Sequence, residues 1–514
     1  MNAFQHTLVF HRENAATEHL RVPLTVLPES AFSHIVENHV IGIYPDFRLQ
    51  TVEGFGCALT ETACYLLSRM TPEQHRETLS LWFGPENTKA RFVRVPIDSC
   101  DYSLSEYQAV PDPIADPELK TFSLARDRQY ILPVLKEAVA LSGGQLRVLL
   151  SPWSPPWQWK TPPLRQKNDA SAYGGQETDA SARPSRNNGG SLKSEFYGAW
   201  ANYLVKYIQG YLDEGIPVTM LSVQNESAAA TPWDSCVWTG EQEKVFLRDH
   251  LFPALRRAGL DGQIELFIWD HNKERMIENV TEMMDKDTED MIRGFAYHWY
   301  TGDHFEALSL LHGRYPDKVL MHSESCPLHM PGRAVSADLD PEILKKKPRA
   351  SLAPEELAVL TQENNRTPAD IDLEDAFTYA HDLIGDLNHG MNRWIDWNLI
   401  VDQTGGPRHV PGGFAAPLVD LGNGRVLRTP AYEWLRLIME HVPAGSVRIG
   451  CSSYGPGTEA TAVLDPEGCS LHVLLFHPVA SEEEINLRLL GHVITVTCPP
   501  ESLTAVRVEL HGAE

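Results

Sequence analysis

The stretch VTMLSVQNESAAATPWDSC, residues 218–236, decides the fold. Its first half is an apolar, β-branched run that ends on Gln224, Asn225 and Glu226 before small residues and a proline break it. A carboxylate where a buried strand meets a loop needs a partner or a chemical task. Seven further short runs end the same way, in polar or aromatic residues: VEGFGCALTE (52–61), ARFVRVPIDSCD (90–101), LRVLLSPWS (146–154), IELFIWDHN (264–272), GFAYHWY (294–300), KVLMHSES (318–325) and RWIDWNLI (393–400). Helical patterns fill most of the intervals. MTPEQHRETLSLWFG opens on a Thr-Pro cap, and SEFYGAWANYLVKYIQGYLDEG spaces its aromatics helically and stops at Gly215. Strand and helix alternating eight times predict a (β/α)8 barrel, with chemistry at the C-terminal strand ends.

From residue 443 the pattern changes to short alternating strands with turn residues between, from SVRIGCSSY to TAVRVEL. The first 50 residues (HTLVFHR, HLRVPLTVL, HVIGIYP) also read as strands. The expected organisation is a barrel over 51–430 and a β-sandwich built from 1–50 and 431–514. Two intervals exceed simple connections. Residues 162–194 are rich in Gly, Ser, Asn and Pro, and 327–370 are basic and only partly helical. Both follow predicted strands, so we expect them to wall the leaving-group side of the mouth.

The 514 residues carry 44 Lys and Arg against 69 Asp and Glu, a net charge of −25, which repels phosphate backbones and anionic membranes. No nucleic-acid partner is expected. No apolar run reaches membrane-spanning length, and the N-terminus lacks the apolar core of a secretory signal. The eight cysteines form no CxxC pair, which suits reduced thiols in a cytoplasmic protein and no structural metal. His271 and His298 with Asp270 and Asp303 lack ligand spacing and read as hydrogen-bonding groups. The KKK run at 345–347 reads as solvated, and GFG at 54–56 as a turn with close backbone approach. Oligomeric state is left open by the sequence, a homodimer being one of its options.

A second strand-end acid is Glu324, on the seventh run, nearly opposite Glu226 on the fourth. Either alone is an ordinary polar cap. Together, two carboxylates about 5 Å apart suit a retaining glycosidase, one attacking the anomeric carbon and the other trading a proton with the leaving oxygen and then with water. For that task Glu226 must keep a proton near neutral pH, so burial and the charge of Glu324 are expected to raise its pKa. Trp153, Trp157, Trp159, Trp299, Trp394 and Trp397 cluster at strand ends and offer faces for sugar rings. Asn225 is a donor for a sugar 2-hydroxyl, and Arg94 and Tyr300 are placed to hold a nucleophile ionised.

The motifs GFGCALTE (54–61), RVPIDSCDYS (94–103), LLSPWSPPWQWKT (149–161), SVQNE with WDSC (222–236), AYHWYTG (296–302), SESC (323–326) and WIDWNLIVDQTGGP (394–407) together resemble glycoside hydrolase family 30, which includes the glucosylceramidases. The resemblance implies a (β/α)8 barrel with an appended β-sandwich, retention of configuration and no cofactor. It implies Glu226 as acid/base and Glu324 as nucleophile. Asp101, Trp153, Asn225, Tyr300 and Trp397 then fall on sugar-binding positions, and Arg94 and His298 on supporting ones. Ser227 replaces the usual proline after the acid/base, and Arg408 stands where glucosylceramidases commonly carry Asn. Arg408 either binds a charged or larger group or sits on the surface. The implied activity is exo-acting β-glucosidase of glucosylceramidase type on a small saccharide or glycoside. A β-xylosidase, a β-1,6-glucanase, a β-fucosidase and a non-catalytic carbohydrate-binding protein are the alternatives.

Overall fold

The computed structural model describes all residues except 12–15, 33–39, 163–185, 232, 327–367, 411–415, 423–424, 454–456 and 511–514. Most of the two long intervals, and the KKK run, therefore lie outside the described residues. Eight parallel strands close a barrel: β1 (Gly54–Ala58), β2 (Phe92–Ile97), β3 (Arg147–Pro152), β4 (Val218–Ser222), β5 (Glu265–Asn272), β6 (Ile292–His298), β7 (Val319–Glu324) and β8 (Arg393–Asp396). Each lies within one of the eight runs apart from the first two residues of β6 (292–293), and β8 closes on β1 with Arg393 opposite Gly54 and Trp394 opposite Phe55.

Alternation of side chains along each strand builds the lumen. Phe92, Leu149, Met220, Phe267, Ala296, Val319, Met321 and Ile395 form one packed apolar layer. Two residues further along, on the same inward face, stand Arg94, Ser151, Ser222, His298, Ser323 and Trp397. The apolar layer thus lies directly beneath a polar one. Gly56 and Gly294 allow the strands to approach this closely, because a Cβ on either would meet the Phe92 or Val319 carbonyl oxygen at 2.1 Å.

The helix Pro72–Phe83 starts where the sequence places it, with a capping box of Thr71 and Gln74. Tyr197–Asp213 buries its Tyr and Trp stripe against the barrel. Between β8 and the helix Pro430–His441 the chain adds a three-stranded sheet (Val401–Asp402, Leu418–Asp420, Val426–Arg428) that the sequence pattern did not reveal. Strands of two residues and three carry too few side chains to show a period.

The appended β domain is one ten-stranded, mostly antiparallel sheet. Both termini build it: Asn2–His11 pairs with Ser502–Glu509, and Val40–Thr51 with Val447–Ser453. One face gathers its own core around Ile41, Ile485, Val496 and Val506. Leu8, Leu474 and Leu503 join the core that surrounds the barrel, which also includes Trp434 and Leu435 of Pro430–His441. All eight cysteines are free thiols. Among the described residues no helix is long and apolar enough to cross a membrane.

Candidate active site

The polar layer at the mouth is organised by Asp270, at the end of β5. Trp269 and Asp270 both adopt positive φ (76° and 47°), and the pairing of β5 with β6 shifts register here. Such backbone is costly for non-glycine residues. It turns the Asp270 carboxylate inward, where it meets Arg94 Nη2 at 2.8 Å, Ser151 Oγ at 2.9 Å, Ser222 Oγ and Ser323 Oγ at 2.5 Å each, and His298 Nε2 at 3.1 Å. Burial opposes an anion there, but the Arg94 charge and these hydrogen bonds hold Asp270 far below the usual carboxylate range.

Arg94 is fully buried and carries this order to Glu324 and to Asn225, the chain neighbour of Glu226. Its Nη1 donates to Glu324 Oε2, and its Nη2 donates to Asn225 Oδ1 at 2.8 Å. Asn225 therefore keeps its amide hydrogens free to donate. Glu324 Oε1 accepts from Tyr300 OH at 3.0 Å. Burial, with a smaller push from Glu226, outweighs the pull of His298 and Arg94 and leaves Glu324 above its ordinary value.

Glu226 also has positive φ (49°), and its backbone N–H donates to the Asp270 carbonyl at 2.9 Å. His298 Nδ1 lies 3.3 Å and His271 Nδ1 3.6 Å from Glu226 Oε1. The expected rise in the Glu226 pKa is reversed. Burial raises it, but the His298 hydrogen bond and the charges of His271, His298 and Arg94 outweigh burial and hold it below its ordinary value. The proton sits on the neighbour instead. Burial disfavours an imidazolium at His298, yet Glu324, Asp270 and Glu226 push its pKa up to about 9. Its other nitrogen is 4.0 Å from Glu324 Oε2, so one ring stands between the two acids.

Of the six tryptophans, Trp153 and Trp397 form the site wall, stacked at 5.1 Å and 22° with the Arg94 guanidinium 4.7 Å from the Trp153 ring. Trp159, Trp299 and Trp394 are core residues. Trp157 is 42% exposed and lines a separate rim cavity of about 520 Å³ with Gln108, Gln158 and Arg186. Asp101 lies at the far edge, buried, where Glu324 and Glu226 influence it. Arg408 is not on the surface. Its side chain is 4% exposed, 3.6 Å from Asp101 Oδ2 and 4.9 Å above the Tyr102 ring.

Two carboxylates at facing strand ends, one gripped by Arg94 and Tyr300 and one coupled to a protonated histidine, suit a nucleophile and a proton donor. Sequence reasoning missed Asp270 as the organiser and Ser151, Ser222 and Ser323 as its donors. The signal was there: each serine follows a large apolar residue by two on a strand. Asp303 lies apart from this group, 3.3 Å from His381. Two groups could approach a metal here. Glu226, His271 and His298 fall close together, but both His298 nitrogens are engaged. At His322, Asp382 and Asp386 the Lys273 ammonium takes the cation's place, 2.6 Å and 3.2 Å from the two aspartates.

The model of the glycosyl hydrolase family 30 TIM-barrel domain matches residues 52–330 and 342–433. The chain belongs to glycosyl hydrolase family 30. It is a glycoside hydrolase. Lysosomal acid glucosylceramidase of Mus musculus is 25% identical over 475 residues, 89% of this chain and 81% of that protein. The crystal structure of SrfJ from Salmonella typhimurium aligns with a TM-score of 0.81 at 27% identity, covering 99% of this chain and 100% of that one. The endo-β-1,6-glucanase BT3312 shares the fold, with a TM-score of 0.73 at 22% identity over 99% of this chain and 100% of that one.

Proposed function

We propose that this family 30 enzyme is a retaining, exo-acting β-glycosidase of glucosylceramidase type that releases terminal β-linked glucose. The observation that carries the reading is the single imidazole of His298 set between Glu226 and Glu324. Glu324, held by Arg94 and Tyr300, attacks the anomeric carbon as the bond to the leaving oxygen breaks. Glu226 gives that oxygen a proton, drawing on His298, so that His298 ends neutral and the enzyme holds a glycosyl ester. Water then attacks the anomeric carbon, breaking its bond to Glu324 and freeing that carboxylate, and gives its proton to Glu226, which returns it to His298. Asn225, with its Oδ1 already bonded to Arg94, donates to the sugar 2-hydroxyl. Trp153 and Trp397 face the ring, and Asp101 with Arg408 bounds its far edge, which supports exo action on one sugar unit.

The test is a panel of aryl β-glycosides followed by NMR of the first-formed product. The β-glucoside should exceed the β-xyloside and β-fucoside by about tenfold in kcat/KM, a difference of one good polar contact, and the β-anomer should appear first. An initial α-anomer rules out retention. Release of oligosaccharides from β-1,6-glucan, with little glucose, favours the endo-glucanase reading that the likeness to BT3312 keeps alongside it.

A further inference from the structure

Far from the mouth, the helix Pro430–His441 ends against the ten-stranded sheet, and four histidines meet at that joint. His6 pairs with Ala505 and His472 with Arg507. Paired residues share a face, and 505 and 507 are two apart, so His6 and His472 face the same side. The small side chain of Ala505 between them leaves room. His6, His441 and His472 are 6%, 7% and 7% exposed. His441 Nδ1 is 2.9 Å from His472 Nδ1, and His6 Nε2 is 3.3 Å from His19 Nδ1.

The orphan in this cluster is His441 Nε2, which is buried with no hydrogen-bond partner among the described residues. If His441 Nδ1 donates to His472, Nε2 presents a bare lone pair inside the protein. One ligand atom each from His6, Glu440 and His441 lie within 4.8 Å of one another. We infer that His6, Glu440 and His441 form a binding site for a divalent transition ion of the zinc class, joining the barrel's last helix to the appended sheet.

The donor chemistry fits. Two imidazoles and one carboxylate are borderline ligands suited to Zn²⁺ and leave a fourth position for water. His472 is the outer partner that fixes the His441 ring, as carboxylates and carbonyls do at known zinc sites. The ion would also sit at the C-terminal, negative end of a twelve-residue helix. Arg436 is bound by Glu433 at 3.2 Å and Glu440 at 3.4 Å, which tempers its repulsion of a cation. The ligands come from residues 6, 440 and 441, a spacing in which no sequence motif would show.

The full-length enzyme, stripped with a chelator, is titrated with Zn²⁺ by calorimetry, with Tm and aryl glycosidase activity followed in parallel. Co²⁺ supplies a visible spectrum of its coordination. One ion per chain should bind, raise Tm and leave activity unchanged. Glu440→Gln, on an exposed side chain that puts folding at little risk, should weaken binding at least about tenfold, as should His441→Gln. His472→Asn should weaken it less. Absence of Zn²⁺ and Co²⁺ binding to the stripped enzyme overturns the inference. So does binding that is unaltered in Glu440→Gln and inhibits turnover, which would place the ion at Glu226, His271 and His298. None of these outcomes depends on which sugar the enzyme prefers.

Discussion

The two ends of the barrel carry opposite kinds of charge network. At the N-terminal strand ends, Arg393 binds Glu53 at 2.8 Å and Glu265 at 2.6 Å, Arg147 binds the same two acids at 3.3 Å and 2.8 Å, and Arg293 approaches Glu265 at 3.5 Å. Burial raises Glu265, but its three arginines win and hold it below the ordinary range. Cations are in excess there, and every acid is settled. At the C-terminal ends one arginine, Arg94, serves Asp270 and Glu324, and Glu226 is left to two histidines. Acids are in excess, so a proton must be shared. The mouth keeps mobile protons because its acids outnumber its fixed cations, and the base is inert because both of its acids are held by arginines.

If this contrast is right, changes at the mouth remove activity and spare stability. The largest effect is expected for Glu324→Gln, which keeps shape but cannot form the glycosyl ester. Its kcat on an aryl β-glycoside should fall by at least about 1,000-fold, with Tm close to wild type. Retention of more than about a hundredth of wild-type rate means another group is the nucleophile.

Asp270→Asn comes next. Removing that anion withdraws a contribution that raises His298, so the His298 pKa should fall from about 9. His298 is charged below its pKa, and the alkaline limb of kcat should therefore move to lower pH. The rate at its optimum should drop roughly tenfold to a hundredfold, as for outer partners of catalytic groups. A lower rate with an unmoved alkaline limb leaves Asp270 as packing only.

How much of this was readable in advance follows the same division. The eight runs gave the barrel because their apolar halves build the lumen and their polar ends build the mouth. Glu226, Glu324, Asn225 and Tyr300 were legible because each sits at or just beyond a strand end, whereas Arg94, expected near one, lies inside β2. The organising role of Asp270 was not. It depends on a backbone turned to positive φ at Trp269 and Asp270, which no residue type there announces. The protonation of Glu226 was misread because His298 lies 72 residues downstream and its charge acts only once the barrel closes. The burial of Arg408 was equally hidden, since a charged residue after a GGP turn reads as surface.

Arg408→Asn is expected to act more mildly. Burial raises the Asp101 pKa to about 7 even with Arg408 lowering it. Without that cation the pKa rises further, and Asp101 is protonated over more of the neutral range. An acceptor carboxylate is lost as pH falls, so the acidic limb of kcat/KM should move to higher pH. KM should rise roughly tenfold, the value of one charged hydrogen-bond partner, and Arg408→Lys should restore most of both. A pH profile identical to wild type would mean that Arg408 only packs against Tyr102.

The smallest change is predicted at the base, and it is the one that tests the contrast from the other side. Arg147 is 31% exposed and shares both of its acids with the buried Arg393. Arg147→Met keeps most of the aliphatic stem over the Phe92 ring, where the guanidinium now sits 5.8 Å from the centroid. Glu53 and Glu265 then keep Arg393, so no buried charge is abandoned. The loss should be that of a half-exposed ion pair, under about 1 kcal/mol, and weaker still in high salt. Activity and its pH profile should match wild type, because the apolar layer of Phe92, Leu149 and Met220 separates Arg147 from Asp270. A shifted pH profile in this variant would mean that the two ends of the barrel share one electrostatic network and that the apolar layer does not insulate them.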